Sequence, residues 1–248
     1  MPETQFLLDL LTRNVKTAPG VYSRAQIDLL RTRLRHMHKE RPDTLADVNE
    51  EFLNKLLQIA RNLVQPTEFE VLFQANAKLL NDVMLVLIMT VGEAPSPMAG
   101  QAFRTLIDVL LASGGQYKAT DPSYFGLECA IMQVKTRKNK DEREELMIAI
   151  TPELRRLTPL MRGDSNCVEN YLNIFRELLI MAESQGGVRT LLENIRQLAA
   201  ECGVVVNVPL KGRENLDMVF GAIGEAMMIQ RPSTPPPNPG RLAPQQTR

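Results

Sequence analysis

Tryptophan is absent from this 248-residue chain, and other aromatics are few, with eight phenylalanines and four tyrosines. The apolar content comes mainly from leucine, methionine and alanine, which favour helix over strand. The three cysteines, at positions 129, 167 and 202, are widely spaced and form no C-x-x-C pair. This pattern argues against a disulfide framework and a cysteine-built zinc site, and it is typical of a reducing compartment.

Histidine is almost as scarce, because His36 and His38 are the only two. Residues two apart on a helix point to different sides, so this pair cannot share a metal ion or act together on a proton. The glycine-rich phosphate loops of nucleotide-binding enzymes are also missing. We therefore expect a protein that is not an enzyme and that uses no metal or other cofactor.

The chain has no excess of charge of either sign, since 29 basic residues balance 29 acidic ones. A partner selected by charge must then be met by a local patch rather than by the whole surface. The first residues, "MPETQFLLDLL", show neither a basic leader region nor an arginine-rich transit character. We expect the chain to be made and kept in the cytosol or nucleus.

Long hydrophobic runs are lacking as well. The most hydrophobic stretch has seven consecutive apolar residues, Val83 to Met89, whereas a membrane-spanning helix needs about 20. The residues before it repeat apolar side chains at helical spacing, with Glu70, Gln74 and Lys78 on the other side. This pattern predicts a helix whose end is buried on all sides, and not a transmembrane span.

Helix start and stop signals recur along the chain and predict an all-α protein of about ten helices arranged in bundles. Ser23 with Gln26 forms a capping box that opens the second helix. Asn139 with Glu142 opens another helix after the segment "KTRKNK". These signals are local, and each one fixes a helix start independently of the others.

Three further signals mark breaks between helices. Thr151-Pro152 is expected to start a new short helix, and the glycine pair at 186–187 is expected to separate two helices. The segment "VVVNVPL" at 204–210 is the one β-like run, and it has no obvious strand to pair with. We expect it to be extended or looped.

Composition shifts divide the chain into four parts. The predicted parts are an N-terminal bundle (1–95), middle helices that pack on it (96–140), a C-terminal helical domain (141–230) and a proline-rich tail (231–248). The tail, "RPSTPPPNPGRLAPQQTR", cannot bury enough apolar surface to fold and is expected to be disordered.

Two clusters of basic residues are the candidate binding sites. The first lies on the second helix and comprises Arg24, Arg31, Arg35, His38 and Lys39 on one side, with Arg33 and Arg41 nearby. The second comprises Lys135, Arg137, Lys138 and Lys140, followed by Arg143. Such patches can hold the phosphates of nucleic acid or anionic lipid, at about 1 kcal/mol per Lys or Arg near a charged membrane. An ordinary solvated helix face is the alternative for both clusters, and the acids that follow the second cluster favour that alternative there.

A series of short motifs resembles the C-terminal half of orthomyxovirus matrix proteins. They are "FGLECAIMQV" (125–134), "LTPLMRG" (157–163), "VRTLLENIRQLAAE" (188–201) and "GRENLDMVFGAIGEAMMIQ" (212–230). The opening "ETQFLLDLLTRNV" (3–15) is similar to the start of the same family, so the likeness covers roughly residues 3–35 and 120–230.

The resemblance implies an all-helical viral matrix protein that self-associates into a layer beneath the virion envelope. Such a protein contacts the anionic inner leaflet peripherally, binds viral ribonucleoprotein or RNA, and drives assembly and budding. The implied locations are the virion, the host cytoplasm and nucleus, and the cytoplasmic face of the plasma membrane. The implied partners include the nuclear export machinery, reached through a viral adaptor.

Two features of that family are missing. Its compact basic motif in a mid-chain helix has no counterpart, because residues 66–92 contain only Lys78 as a basic residue. Only Cys129 remains where some members carry a cysteine–histidine cluster, so no zinc is expected. The basic role would then pass to the second helix or to residues 135–140, which is an inference from this sequence and not from the family.

Two other functions remain open. A nucleocapsid-type protein that wraps RNA needs a groove lined with many basic residues, which the balanced net charge disfavours. A cellular all-helical adaptor would be a stable monomer without affinity for lipid or RNA, with "STPPPNP" as a docking peptide.

Overall fold

The computed structural model describes residues 22–64, 70–113 and 122–229. Regular structure in these ranges is entirely helical, which confirms the predicted all-α class. The α-helices are α1 (Arg24–Arg35), α2 (Glu50–Leu63), α3 (Glu70–Glu93), α4 (Ser96–Ser113), α5 (Pro122–Thr136), α6 (Lys140–Arg155), α7 (Thr158–Met161), α8 (Ser165–Met181), α9 (Gln185–Glu201) and α10 (Arg213–Ile229). A π-helical turn (His36–Glu40) and a 3₁₀ helix (Pro42–Asp47) connect α1 to α2. The predicted first helix at 4–15 and the proline-rich tail at 231–248 lie outside the described residues.

Side-chain caps begin the helices where the sequence predicts them. The hydroxyl of Ser23 accepts a hydrogen bond from the backbone N–H of Gln26 at 3.3 Å, and the Gln26 side chain accepts one from the Ser23 N–H at 2.7 Å. The side-chain oxygen of Asn139 accepts from the N–H of Glu142 at 3.4 Å. Each cap satisfies N–H groups that a helix start otherwise leaves without a partner.

Helix α3 is the centre of the fold. It contacts α1, α2, α4 and α5 as well as both short connecting helices. Val83, Val86, Leu87 and Val91 are completely buried, because neighbouring helices cover several sides of α3. The predicted helix end is therefore buried on most sides, whereas Leu85 and Met89, four residues apart on one side, remain partly exposed.

Helix α3 also contains the one segment in the described ranges that is long and apolar enough to cross a membrane, Gln74–Glu93. Within the protein, 61% of the qualifying window is buried. Core helices of globular proteins reach this composition because they must be apolar on more than one face. The packing of α3 is that of such a core helix.

The C-terminal helices join this core through α4 and α5. Helix α4 contacts α2, α3 and α6, while α8 contacts α5, α9 and α10. Tyr171 on α8 is fully buried and donates to the carbonyl oxygen of Leu154 at 2.9 Å. The buried apolar residues form one continuous cluster across these contacts. The boundaries at 95 and 140 stay predictions.

The expected break at Thr151-Pro152 is wrong, because α6 continues through both residues to Arg155. A proline inside a helix lacks the N–H that would bond to the carbonyl four residues earlier, which costs about 3 kcal/mol in a helix interior. Only the final three residues of α6 follow Pro152, so the interruption affects its last turn. The hydroxyl of Thr151 donates to the carbonyl oxygen of Met147 at 2.6 Å.

The glycine pair does not separate two helices either, since both glycines belong to the first turn of α9. Ser184 caps this helix by accepting from the N–H of Gly187 at 2.9 Å. A Cβ atom on Gly187 would lie 1.7 Å from a carboxylate oxygen of Glu144 on α6. A side chain at this position would therefore displace the Glu144 carboxylate, which accepts a hydrogen bond from the N–H of Ser184, a constraint that the local sequence does not reveal.

Residues 204–210 are neither helix nor strand, as predicted. The segment alternates in burial: Val204, Val206 and Val208 pack against the core, and Val205 is 78% exposed. Such alternation is typical of an extended backbone. Leu210, which is buried, fixes the end of the segment next to α10.

Candidate functional site

The first basic cluster surrounds a buried carboxylate on α3. Asp82 is only 3% exposed, and Arg31 Nε donates to its Oδ2 at 2.8 Å. Arg35 Nε donates to the other oxygen, Oδ1, at 3.3 Å. His38 Nε2 lies 3.8 Å from the same Oδ1 atom. Three members of the predicted cluster thus converge on one acid, and we call the four residues together the Asp82 cluster.

The members of the Asp82 cluster differ in their access to solvent. The Arg31 side chain is 17% exposed, so its guanidinium is mostly enclosed by the protein and occupied by the carboxylate. The Arg35 side chain is 49% exposed and keeps much of its guanidinium at the surface. One carboxylate cannot neutralise two guanidinium groups, so the cluster keeps a net positive charge.

His38 is the most enclosed of the three basic members, with a side chain that is 5% exposed. Its Nε2 atom is buried and makes no hydrogen bond in the described part of the chain. Burial lowers the pKa of His38 below its ordinary value, Asp82 raises it, and the nearby charges of Lys39 and Arg35 lower it further. The net result is a lowered pKa, so the neutral form of His38 is favoured in the folded protein.

We predict that the free energy of unfolding decreases as the pH falls below about 6.5, the ordinary pKa of histidine. The unfolded chain then binds a proton at this position more readily than the folded chain, which keeps His38 neutral. The contribution is complete above about pH 6.5 and is lost as the pH falls toward the lower pKa of the folded state. Urea unfolding at about pH 7 and about pH 5.5 measures the difference.

The variant His38→Gln should show a smaller loss of stability between these two pH values than the unmodified protein. His36→Gln is the matched control, because His36 lies on the same π-helical turn but is 34% exposed and pairs with Glu40 at 2.5 Å. An equal pH dependence in His38→Gln and the unmodified protein would refute the assignment to His38.

The remaining cations of the first cluster lie at the surface. Arg24 is 63% exposed and forms an exposed ion pair with Asp28 at 3.6 Å. Lys39 is exposed and has no ion partner among the residues that the structure describes. Arg33 is exposed as well, but it lies two residues from Arg31 and from Arg35 and so points to another side of α1. Lys78, one helical turn before Asp82 on α3, adds an exposed cation to the same region.

In the second cluster, Arg137 is directed toward the protein interior. Its side chain is 7% exposed, and its Nε and Nη2 atoms donate to the carbonyl oxygen of Val91 at 3.2 and 2.8 Å. Nη2 also donates to the carbonyl oxygen of Ala94. Burial lowers the pKa of the Arg137 guanidinium, while Glu142 and Glu93 oppose this effect. Arg137 is therefore a cap for the C-terminal end of α3, a role that sequence analysis did not foresee.

The other cations of the second cluster mostly pair with acids at the C-terminal end of α8. Lys135 lies 3.4 Å from Glu177, and Lys140 lies 2.8 Å from Glu183. Arg143 also binds Glu183. Lys138 is the exception, because it is exposed and has no ion partner in the described part of the chain. These ion pairs connect α5 and α6 to α8, and they leave less charge for an external anion than the sequence implies.

A third basic group lies outside the two clusters predicted from the sequence. Arg155, Arg156 and Arg162 line a cleft of about 360 Å³ beside α7 and the end of α9. Most of this charge is matched, because Arg155 pairs with Glu201 at 3.5 Å and Arg156 pairs with Asp108 at 2.5 Å. Arg155 and Arg156 come just before the motif at 157–163, and Arg162 lies near its end. The short helix α7 between them brings the three side chains to one cleft.

A larger groove, of about 680 Å³, lies between the end of α8, α9 and the start of α10. Its apolar lining includes Leu179, Val188, Leu192, Leu210 and Leu216. Basic side chains also line it, namely Arg189, Arg196 and Lys211. We call it the α9 groove. Four separate segments build it, and this explains why no sequence motif marked it.

None of the three cysteines, all of which lie in the described ranges, forms a disulfide bond. Burial raises the pKa of Cys129, with a smaller contribution from Glu128, and burial also raises the pKa of Cys202. A raised pKa favours the protonated thiol, which is the unreactive form. Within residues 22–64, 70–113 and 122–229, no three His, Cys, Asp or Glu side chains are grouped so as to hold a metal ion.

Comparisons with protein family models, with curated proteins and with solved structures found no match to this chain. The resemblance to orthomyxovirus matrix proteins therefore depends on the short motifs alone. The structure adds the helical fold, the Asp82 cluster and the α9 groove as independent observations on which a function can be argued.

Proposed function

We propose that this protein is a non-enzymatic structural protein that attaches peripherally to an anionic membrane and self-associates into a layer. The observation that carries the proposal is the set of solvent-exposed cations around the Asp82 cluster, namely Arg24, Arg35, Lys39 and Lys78. The motifs that resemble orthomyxovirus matrix proteins support the same function. In that setting the layer lies beneath a viral envelope and takes part in virion assembly and budding.

The arrangement of Arg35 supports binding to phosphate groups. Its Nε atom is held by Asp82, while half of the side chain remains exposed. A side chain that is already held loses less conformational entropy when it binds an anion. Lys39 follows one helical turn later and can contact a second headgroup, because residues four apart share a helix face.

Each contact in such a surface is weak, since one cation contributes about 1 kcal/mol near an anionic leaflet. A layer of many copies presents many such surfaces at once, and the combined attachment is then much stronger than that of one copy. Self-association and peripheral binding thus support each other, and no membrane-spanning segment is needed.

The same exposed cations can bind viral ribonucleoprotein, because RNA also presents phosphates. We accordingly propose that the protein occurs in the virion, in the host cytoplasm and nucleus, and at the cytoplasmic face of the plasma membrane. We also propose the nuclear export machinery as a partner reached through a viral adaptor.

We predict that the purified protein cosediments with vesicles of phosphatidylserine and phosphatidylcholine at low salt, and not with phosphatidylcholine alone. The double variant Arg24→Glu/Lys39→Glu should bind the anionic vesicles at least about tenfold more weakly, because two favourable contacts become repulsive. High salt should release the unmodified protein, because exposed charges are screened at short range.

Lys138→Glu is the matched control for Lys39→Glu. Both lysines are exposed and lack an ion partner in the described ranges, but the cations around Lys138 are largely paired with Glu177 and Glu183. We expect the larger loss of binding for Lys39→Glu. Binding that survives Arg24→Glu/Lys39→Glu unchanged would rule out this surface, and salt-sensitive binding to RNA without binding to vesicles would favour a nucleocapsid-type function instead.

A further inference from the structure

The outward face of α10 is an apolar surface without a partner in the described part of the chain. Met218 is 54% exposed, Met228 is 39% exposed and Ile229 is 80% exposed. Gly221 is exposed, and a Cβ atom added there would meet no atom within 4 Å beyond its chain neighbours and the adjacent backbone of its own helix. Met218, Gly221, Glu225 and Ile229 follow one another at intervals of three and four residues, so they lie on one face of the helix. We call this surface the α10 face.

The α10 face points away from the core. The buried residues of α10 are Val219, Phe220, Ile223 and Met227, which form the opposite side of the helix. Large exposed apolar residues that cluster on one face, rather than being scattered singly, mark an interaction surface. Gly221 leaves the middle of the face flat, which lets another backbone or side chain approach closely.

The charges on the α10 face are acidic. Glu214 and Glu225 are exposed and have no ion partner among the described residues. Asp217 is shared between Arg176 at 3.8 Å and Arg213 at 3.7 Å, so its charge is largely matched. The unmatched charges on this face are therefore the two glutamates.

The α9 groove has the opposite character. Arg189 and Lys211 are exposed and have no ion partner in the described part of the chain, whereas Arg196 pairs with Glu193 at 3.5 Å. The one acid in the lining, Glu183, is bound by Lys140 and Arg143. An apolar groove with unmatched cations thus occurs on the same chain as an apolar helix face with unmatched acids.

We propose that the α10 face of one copy docks into the α9 groove of a second copy. Leucine and valine side chains of the groove cover the exposed methionines and Ile229, while Glu214 and Glu225 meet Arg189 and Lys211. The mode of binding is that of an amphipathic helix in an apolar groove. Complementary charges fix the orientation and disfavour other partners.

The contact is heterologous, because the two surfaces are different parts of the chain. Leu216 lines the groove near the start of α10, whereas the α10 face lies on the other side of that helix. A heterologous contact that does not close into a ring continues into an open array. The inference deepens the proposed function by naming the surfaces through which the layer forms, and it rests on that function for its biological setting.

The test uses the full chain and two charge-reversed variants. The face variant carries Glu214→Lys and Glu225→Lys, and the groove variant carries Arg189→Glu and Lys211→Glu. All four side chains are exposed, so circular dichroism should show the same helix content in both variants as in the unmodified protein. Sedimentation velocity over a range of concentrations measures self-association. Each variant alone should associate at least about tenfold more weakly, because two ion pairs become repulsive.

A mixture of the face variant and the groove variant should restore association. The basic face of the first then meets the acidic groove of the second, and the acidic face of the second meets the basic groove of the first. A chain with all four substitutions should likewise associate with itself. Association of the single-surface variants at the level of the unmodified protein, or a failure of the mixture to recover, would overturn the proposed contact.

Vesicle binding separates this inference from the proposed function. Below the concentration at which both associate, the unmodified protein and the chain with all four substitutions should bind anionic vesicles about equally, because the two have the same net charge. If mixing the two variants restores association but neither the unmodified protein nor any variant binds anionic vesicles, the docking contact stands and the membrane function fails. If the unmodified protein binds vesicles but associates neither in solution nor on them, the docking contact fails and the membrane attachment stands.

Discussion

Replacing Asp82 with alanine is expected to lower the free energy of unfolding by about 3 kcal/mol. The substitution removes the acceptor for the guanidinium of Arg31, whose side chain is only 17% exposed. A buried charge that loses its partner keeps its desolvation cost without compensation, and such changes typically cost about 3–5 kcal/mol. We expect a value near the lower end, because Arg35 is 49% exposed and can turn toward water. Urea unfolding followed by circular dichroism measures the change.

The matched control for Asp82→Ala is Asp28→Ala. Asp28 also pairs with an arginine of α1, Arg24, but both side chains are more than half exposed. Exposed pairs of this kind contribute about 0–1 kcal/mol, so this variant should remain close to the unmodified protein. The double variant Asp82→Leu/Arg31→Met should recover part of the stability, because apolar residues of similar size can replace a buried ion pair. Equal stability of the Asp82→Ala and Asp28→Ala variants would show that the Asp82 cluster is not structural.

Replacing Arg137 with alanine is expected to cost about 2–3 kcal/mol. The substitution removes three hydrogen bonds from one guanidinium to the carbonyl oxygens of Val91 and Ala94. These carbonyls lie at the C-terminal end of α3, where helix geometry leaves acceptors without intrahelical partners and where the helix dipole favours a cation. Thermal unfolding of the variant should therefore occur at a lower temperature.

Lys138→Ala provides the control for Arg137→Ala, because the neighbouring lysine is exposed and has no ion partner in the described ranges. We expect its stability to stay within about 0.5 kcal/mol of the unmodified protein. Arg137→Lys should recover only part of the loss, since a lysine ammonium cannot reproduce the forked geometry of a guanidinium. If Arg137→Ala proved as stable as Lys138→Ala, the capping role would be refuted.

The helical fold could be predicted because its signals are local. The capping box at Ser23 and Gln26 acts within four residues, and the structure contains both of its hydrogen bonds. The two wrong boundaries have other causes. Pro152 falls in a last turn that tolerates it, and Gly187 lies against the carboxylate of Glu144, which is more than forty positions earlier in the chain.

The candidate site was predictable only in part. Periodicity placed Arg31 and Arg35 on one side of a helix, but it could not identify Asp82, which lies 51 and 47 positions away from them. Arg137 looks like its basic neighbours in the sequence, although packing directs it to the end of α3. Charge patterns thus indicate where cations are concentrated, whereas the fold determines which of them remain available to a partner.

The difference in location between the α9 groove and the α10 face gives the proposed array a direction. Every copy in a row joined by this contact points the same way, so one end of the row presents an empty groove and the other presents a bare helix. Growth at the two ends then depends on different side chains. A copy that can bind through only one of its two surfaces would stop the row at one end and leave the other end free to grow.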